Sequence, residues 1–149
     1  MKIFRSLFSV VLVLVATVLV SCGSPEAAAP PTYTPDKIAK IQTYRIPVDT
    51  ARENMTQLGE YIQGQDWVNT RSYIHGPLGF LRRDFRYLSD ALLPDDAKQA
   101  KEIAEDIFAR LENIDAAAKD KDSRTVVSEY SQAVSDFDRY IELVPQEAS

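Results

Sequence analysis

Two residue types with reactive side chains occur once each in the chain, as Cys22 and His75. A zinc site needs three or four ligands, and no spacing in the sequence supplies them around His75. The chain also lacks Glu-x-x-His, Cys-x-x-Cys-His and Gly-x-Ser-x-Gly patterns, which mark di-iron bundles, c-type haems and serine hydrolases. We therefore predict a protein that is not an enzyme, with no cofactor and no metal.

The cysteine stands at the end of a segment typical of exported proteins. Lys2 and Arg5 precede an apolar run over residues 7–20, and residues 19–22 read Leu-Val-Ser-Cys. A charged start, an apolar stretch and a small residue before the cut indicate a signal peptide. Leu-x-Ser-Cys resembles the bacterial lipobox, whose cysteine takes a diacylglycerol. We predict a lipoprotein signal peptide over residues 1–21 and lipid attachment at Cys22.

Two alternatives for this segment are weaker. Ordinary signal cleavage beside a chance cysteine would leave Cys22 without a lipid, but this cysteine is unique and stands at the required position. A permanent transmembrane helix needs about 20 consecutive apolar residues, and the run is shorter. A single cysteine also excludes an internal disulfide, so the fold must be held by packing.

A cluster of cations between residues 71 and 86 is the second candidate for function. Its members are Arg71, His75, Arg82, Arg83 and Arg86. Arg82 and Arg86 are one helical turn apart, so they share a face. Two interpretations remain open: a solvated face partly paired to Asp84 and Asp90, or a docking surface for an acidic partner.

The overall charge limits the kind of partner. From Cys22 onward the chain has 15 Lys and Arg against 22 Asp and Glu, a net charge of −7. Binding to nucleic acid needs a basic footprint, so we predict no nucleic-acid partner. The same excess of acid disfavours binding to anionic lipid by charge, which leaves Cys22 as the predicted membrane contact.

Residues 22–34 are predicted to be the lipid anchor and a flexible linker. Pro25, Pro30 and Pro31 lie there among alanines, without apolar periodicity. Proline-rich linkers are extended and semi-rigid, at about 3.1 Å per residue. The segment could therefore hold a folded domain away from a membrane surface.

Beyond residue 34, apolar residues recur at helical spacing in four successive segments, which predicts four amphipathic helices. The predicted stripes are Ile41, Tyr44, Val48, Ala51, Met55, Leu58 and Ile62; Trp67, Ile74, Leu78, Leu81, Phe85, Leu88 and Leu92; Ala100, Ile103, Ile107, Leu111, Ile114 and Ala118; and Val126, Val127, Tyr130, Ala133, Val134, Phe137, Tyr140, Ile141 and Val144. No stretch alternates with the period of a strand.

Helix starts and stops frame these segments. Predicted starts are Thr34 with Pro35, Asp66, Pro94, and Asp122 or Ser123; predicted ends are Gly64 and Pro145. Because the connections are short, successive helices should be antiparallel neighbours. The predicted fold is all-α, an up-down-up-down four-helix bundle over residues 35–149.

Prolines interrupt two of the predicted helices. At Pro47 either the first helix kinks or its regular part begins near that residue, because proline removes one backbone hydrogen bond. At Gly76-Pro77 we expect a bend and not a break, because the apolar stripe continues in phase across the dipeptide.

Two blocks of sequence resemble the cyanobacterial PsbQ family. One covers residues 67–83 and contains Ile-His-Gly-Pro-Leu-Gly; the other covers residues 136–145, Asp-Phe-Asp-Arg-Tyr-Ile-Glu-Leu-Val-Pro. The lipobox, the length and the four-helix pattern are similar too. The resemblance extends over nearly all of the chain after Cys22.

That resemblance implies a non-catalytic extrinsic subunit of photosystem II, lipid-anchored on the lumenal side of the thylakoid membrane. Such subunits stabilise the oxygen-evolving complex and support its calcium and chloride retention by docking beside other lumenal subunits and the core antenna. The matched second-helix block is then the expected docking region, although His75, Gly76 and Pro77 could equally be conformational. The alternative is a periplasmic lipoprotein whose bundle binds a small ligand or metal.

Overall fold

The computed structural model describes residues 31–147; the predicted signal peptide and Cys22 lie outside the described residues. The described residues form five α-helices and no strands, which confirms the all-α prediction. The helices are α1 (Pro35–Gln63), α2 (Trp67–His75), α3 (Leu81–Ala91), α4 (Pro94–Lys119) and α5 (Ser123–Leu143). Within residues 31–147, none of them is long and apolar enough to cross a membrane.

The predicted helix starts are confirmed. The side chains of Thr34, Asp66 and Asp122 each accept a hydrogen bond from the backbone N–H three residues later. This contact satisfies one of the amide groups that a helix start leaves without an intrahelical partner. α4 begins at Pro94, whose missing N–H costs nothing at that position.

α1 runs through Pro47 without ending. Its regular part therefore begins at Pro35, not near Pro47. The interior proline is exposed, so its ring faces solvent, while Val48 and Ala51 beside it are buried. The packing of the buried face therefore continues across the position where the backbone bond is missing.

The expected bend at Gly76-Pro77 is wrong, because the chain breaks there into two helices, α2 and α3. Pro77 has no N–H to continue the ladder of hydrogen bonds. The Tyr73 carbonyl instead accepts from the Leu78 N–H at 3.2 Å. The apolar stripe still continues in phase, since Leu78 lies within the break and is buried.

The break also depends on Gly79. A Cβ added at this residue would lie 2.6 Å from the carbonyl oxygen of His75, closer than real Cβ atoms approach backbone oxygen. A side chain there would force the turn between α2 and α3 to open. The Gly-Pro-Leu-Gly part of the block over residues 74–79 therefore has a conformational role.

The five helices surround one core. α2 and α3 each pack against both α1 and α4, and α5 packs against α4 and α1. Nearly all predicted stripe residues are buried or partly buried. Val127 is the exception, with 54% of its surface exposed, because it lies one position away from the buried Val126 and faces outward.

Phe85 lies at the centre of this core. Its ring centroid is 4.3 Å from that of Tyr140, 5.3 Å from that of Phe137 and 5.7 Å from that of Phe108. Aromatic pairs in such tilted and edge-on arrangements contribute about 0.5–1.5 kcal/mol beyond area burial. The cluster joins α3 to both α4 and α5.

A polar contact lies inside the aromatic cluster. The hydroxyl groups of Tyr140 and Ser89 are 2.9 Å apart, and the Tyr140 hydroxyl donates to the Phe85 carbonyl at 3.3 Å. Burial raises the pKa of Tyr140 to about 12. The phenol therefore stays neutral in the core and acts as a hydrogen-bonding group.

Tyr33 belongs to the predicted linker but is buried, at 8% exposed. Its hydroxyl donates to the Asp96 carboxylate and accepts from the Leu93 N–H at 3.1 Å. Burial and the hydrogen bond to Asp96 raise the pKa of Tyr33 to about 12. The side chain therefore caps the start of α4 and attaches the last linker residues to the helical domain.

Candidate docking surface on helices α2 and α3

The structure divides the predicted cation cluster into two groups. Arg71, His75 and Arg82 contact carboxylates of α4. Arg83 and Arg86 contact residues of their own helix, α3. All five lie at the surface, but only the first group is paired with carboxylates of another helix. Cys22, the predicted lipid attachment residue, lies outside the described residues.

Asp115 is the carboxylate that joins α2 to α4. One of its oxygens lies 3.0 Å from Arg71 Nε and 3.0 Å from His75 Nε2. Burial alone would raise the pKa of Asp115, but the hydrogen bonds from Arg71 and His75 outweigh it and hold this pKa below its ordinary value of 3.8. The ionised carboxylate therefore fastens the last turn of α2 against α4.

Arg82 makes a second connection to α4. Its guanidinium carbon lies 4.0 Å from the Phe108 ring centroid. Its nitrogens lie 3.3 Å from Glu105 and 3.5 Å from Glu112. A planar cation on a ring with carboxylates at its edges satisfies the donors of arginine. These contacts connect Arg82 to α4 across the surface.

Arg83 is held differently from its neighbour. Its Nε donates to Asp84 at 2.9 Å, and its guanidinium carbon lies 5.1 Å from the ring centroid of Phe80. The Asp84 side chain is only 12% exposed, whereas that of Arg83 is 53% exposed. The pairing with Asp84 that the solvated-face interpretation expected is therefore present. It orients Arg83 over an exposed ring.

Arg86 has no carboxylate partner among the residues that the structure describes. Its guanidinium carbon lies 5.3 Å from the ring centroid of Tyr87. Asp90, the other acid expected to pair with these arginines, instead binds Lys101 of α4 at 2.7 Å. Arg86 thus keeps its donors available on the exterior.

The cations border an open groove between α3 and α4. The groove has a volume of about 720 Å³. Its lining includes the side chains of Arg82, Arg83 and Arg86 and the rings of Phe85 and Phe108. The prediction that Arg82 and Arg86 share a face is confirmed, although the contacts of their guanidinium groups differ.

Two exposed rings accompany the outward arginines, and sequence analysis did not single them out. Phe80 is 65% exposed and Tyr87 is 46% exposed. Each comes one residue before a stripe position, Leu81 or Leu88. The sequence does carry a signal for these exposed rings. An aromatic residue just outside the predicted apolar stripe cannot reach the core, so its ring is expected at the surface.

The histidine ring contacts the carboxylate of Asp115, which it shares with Arg71. Within residues 31–147, no group of three or more histidine, cysteine or acidic residues is arranged to hold a metal ion. The observed contact is a hydrogen bond between α2 and α4. The geometry thus gives His75 a part in holding α2 in place.

Fold and surface together define the class: a small all-helical protein with an acidic overall charge and a cationic, aromatic face on α3. The family model that describes oxygen evolving enhancer protein 3, PsbQ, matches residues 4–145. A relative from Synechocystis sp. (strain ATCC 27184 / PCC 6803 / Kazusa), named CyanoQ, is 49% identical over 147 residues, covering 98% of this chain and 99% of the relative.

The chain belongs to the PsbQ family. The family match and the relative both extend over nearly the whole chain, so the resemblance inferred from residues 67–83 and 136–145 is confirmed.

Proposed function

We propose that the protein is a non-catalytic extrinsic subunit of photosystem II that docks on the lumenal side and stabilises the oxygen-evolving complex. The observation that carries this proposal is membership of the family whose model is described as oxygen evolving enhancer protein 3, over residues 4–145. The 49% identity with CyanoQ across almost both chains supports the same role.

The proposed attachment to the thylakoid membrane is a lipid on Cys22. The lipobox pattern at residues 19–22 supports it, with a signal peptide over residues 1–21 and an anchor and linker over residues 22–34. Several acyl chains would give lasting anchorage, at about 0.8 kcal/mol for each buried methylene. Tyr33 would then determine where the linker leaves the folded domain.

The proposed domain, residues 35–149, is an up-down-up-down four-helix bundle. In this arrangement α2 and α3 together occupy the position of the second helix. Their shared packing against α1 and α4 supports this, because both fill the space between the same two neighbours. The short connections between successive helices also favour antiparallel packing.

The proposed partners are lumenal subunits of photosystem II and its core antenna, reached through the surface that carries Arg71, His75, Arg82, Arg83 and Arg86. Among these residues, the observed contacts best support a docking role for Arg83 and Arg86, which are not paired with another helix. Calcium and chloride retention would follow indirectly, because a docked subunit limits the opening of the complex around its ions.

The test is co-purification with photosystem II from the native cell under gentle extraction. We expect the chain to be present in the isolated complexes. We also expect cells that lack it to evolve less oxygen, mainly when calcium or chloride is scarce. Complexes that carry none of the chain, or a deletion without effect on ion-limited oxygen evolution, would contradict the proposal.

A further inference from the structure

A continuous band of cations and rings follows the outer side of α1 and α3. We call it the α1–α3 strip, and its members are Lys40, Tyr44, Phe80, Arg83, Arg86 and Tyr87. The rings of Tyr44 and Tyr87 are 5.9 Å apart between centroids. Lys40 lies 5.8 Å from the Tyr44 centroid, and Arg86 lies 5.3 Å from that of Tyr87. The strip therefore spans two helices.

Exposed apolar surface adjoins the end of the strip that contains Phe80 and Arg83. Ile46 and Phe80 are each 65% exposed. Together with Pro47 and Pro77, they line an open depression between α1 and the turn that separates α2 from α3. Arg83 lies at its rim, so one partner segment could contact the apolar floor and the guanidinium together.

The charge of the strip is opposite to that of the chain. Lys40 and Arg86 make no salt bridge within residues 31–147, whereas Arg83 is bound to Asp84. Two of its three cations thus remain uncompensated on a chain whose net charge after the predicted cleavage site is −7. Such a local reversal of sign favours an acidic partner surface.

The cations are also held in place before any partner arrives. Arg83 donates a hydrogen bond to Asp84, and its guanidinium lies near the exposed ring of Phe80. The guanidinium of Arg86 lies near the ring of Tyr87. A guanidinium held in one orientation can donate two parallel hydrogen bonds to a carboxylate. It also loses less side-chain entropy on binding than a free arginine would.

We propose that the α1–α3 strip binds an acidic segment of a lumenal photosystem II protein. Carboxylates of that segment contact Arg83, Arg86 and Lys40, while an apolar side chain covers Phe80 and Ile46. This inference rests on the proposed function and narrows it to one surface and one partner chemistry. An anionic membrane surface is disfavoured, because the acidic remainder of the chain would be repelled by it.

The experiment measures binding of the full chain to photosystem II isolated from cells that lack it. The strip variant carries Arg83→Glu and Arg86→Glu. The control variant carries Lys98→Glu and Arg124→Glu, which change the charge equally at exposed positions of α4 and α5. We expect the Kd of the strip variant to rise more than about tenfold, because like charges then face each other, and that of the control to stay near wild type.

A second variant isolates the apolar contact from charge. Phe80→Ala removes an exposed ring and leaves all charges in place. We expect weaker binding with an unchanged melting temperature. Raising the salt concentration should weaken wild-type binding more than that of the strip variant, because screening acts on the charges that the variant has lost.

The outcomes separate the two proposals. Wild type that does not bind the complexes would contradict the proposed function itself. Wild type and strip variant that bind equally would overturn the strip and leave the function standing. A strip variant that loses binding to phosphatidylglycerol vesicles, but keeps its binding to photosystem II, would assign the strip to lipid and also overturn the inference.

Discussion

Arg82 and Arg83 are adjacent in sequence and line the same groove, yet their guanidinium groups contact different partners. Arg82 lies over Phe108 and reaches two glutamates of α4. Arg83 is held by Asp84 on its own helix and faces the exposed ring of Phe80. We call the two regions the α4 side and the strip side. On the α4 side cations complete the fold, whereas on the strip side they remain available to a partner.

The comparison shows that composition alone does not define a docking surface. The five predicted residues are four arginines and one histidine, and all come from one stretch of sequence. What separates them is whether a neighbouring helix supplies a carboxylate. Mutations on the two sides should therefore affect different properties, stability on the α4 side and binding on the strip side.

The largest expected effect comes from the core that supports both sides. Phe85→Ala should destabilise the fold by about 3–5 kcal/mol, because it leaves a cavity where three rings now pack. Phe80→Ala on the same helix is the matched control, and it should change stability by less than about 0.5 kcal/mol, since its ring is exposed. Urea denaturation of both variants measures this. Equal destabilisation would refute the assignment of Phe80 to the outside.

A smaller effect is expected at Asp115 on the α4 side. Asp115→Asn should cost about 1 kcal/mol at neutral pH, because it weakens the contacts to Arg71 and His75. Asp90→Asn, in an exposed pair with Lys101, is the control and should cost less. Neither change should weaken docking on photosystem II.

The Asp115 effect should depend on pH in one direction. The folded-state pKa of Asp115 lies below its ordinary value of 3.8, so ionisation favours the native state. This contribution is fully present above that value and is lost as pH falls through the lowered pKa. The stability difference between wild type and Asp115→Asn should therefore shrink at pH 3. A difference that stays constant down to that pH would contradict the assigned role.

The smallest expected difference compares two arginines of α3. Arg82→Gln should destabilise by about 0.5 kcal/mol, because exposed ion pairs and a ring contact contribute modestly. Arg86→Gln should leave thermal stability unchanged and weaken docking. A loss of stability at Arg86 that equals the loss at Arg82 would remove the distinction between the two sides.

Much of the fold was predictable, because helical periodicity and capping depend on local sequence. The stripes identified nearly all of the core, and Thr34, Asp66 and Asp122 marked the helix starts. The break after His75 was not predictable from the stripe, since periodicity reports which face is apolar. Whether the backbone hydrogen bonds persist at Pro77 is a separate property.

The candidate surface was predictable only as a set of residues. Arg71 and Asp115 are 44 residues apart, and Arg82 and Glu105 are 23 apart. Such pairs depend on how α2 and α3 pack against α4, which no local pattern specifies. For the same reason, the contacts of Tyr33 with Leu93 and Asp96 were not anticipated from a proline-rich segment.

The central claim is that the strip side, and not the α4 side, faces photosystem II. Photo-crosslinking tests it most directly, with p-benzoylphenylalanine replacing Tyr87 in one full-length variant and the exposed Ala109 of α4 in another. In isolated complexes we expect the probe at position 87 to link to an acidic segment of a lumenal subunit, and the probe at position 109 to form no such link. Links from position 109 with none from position 87 would contradict the account.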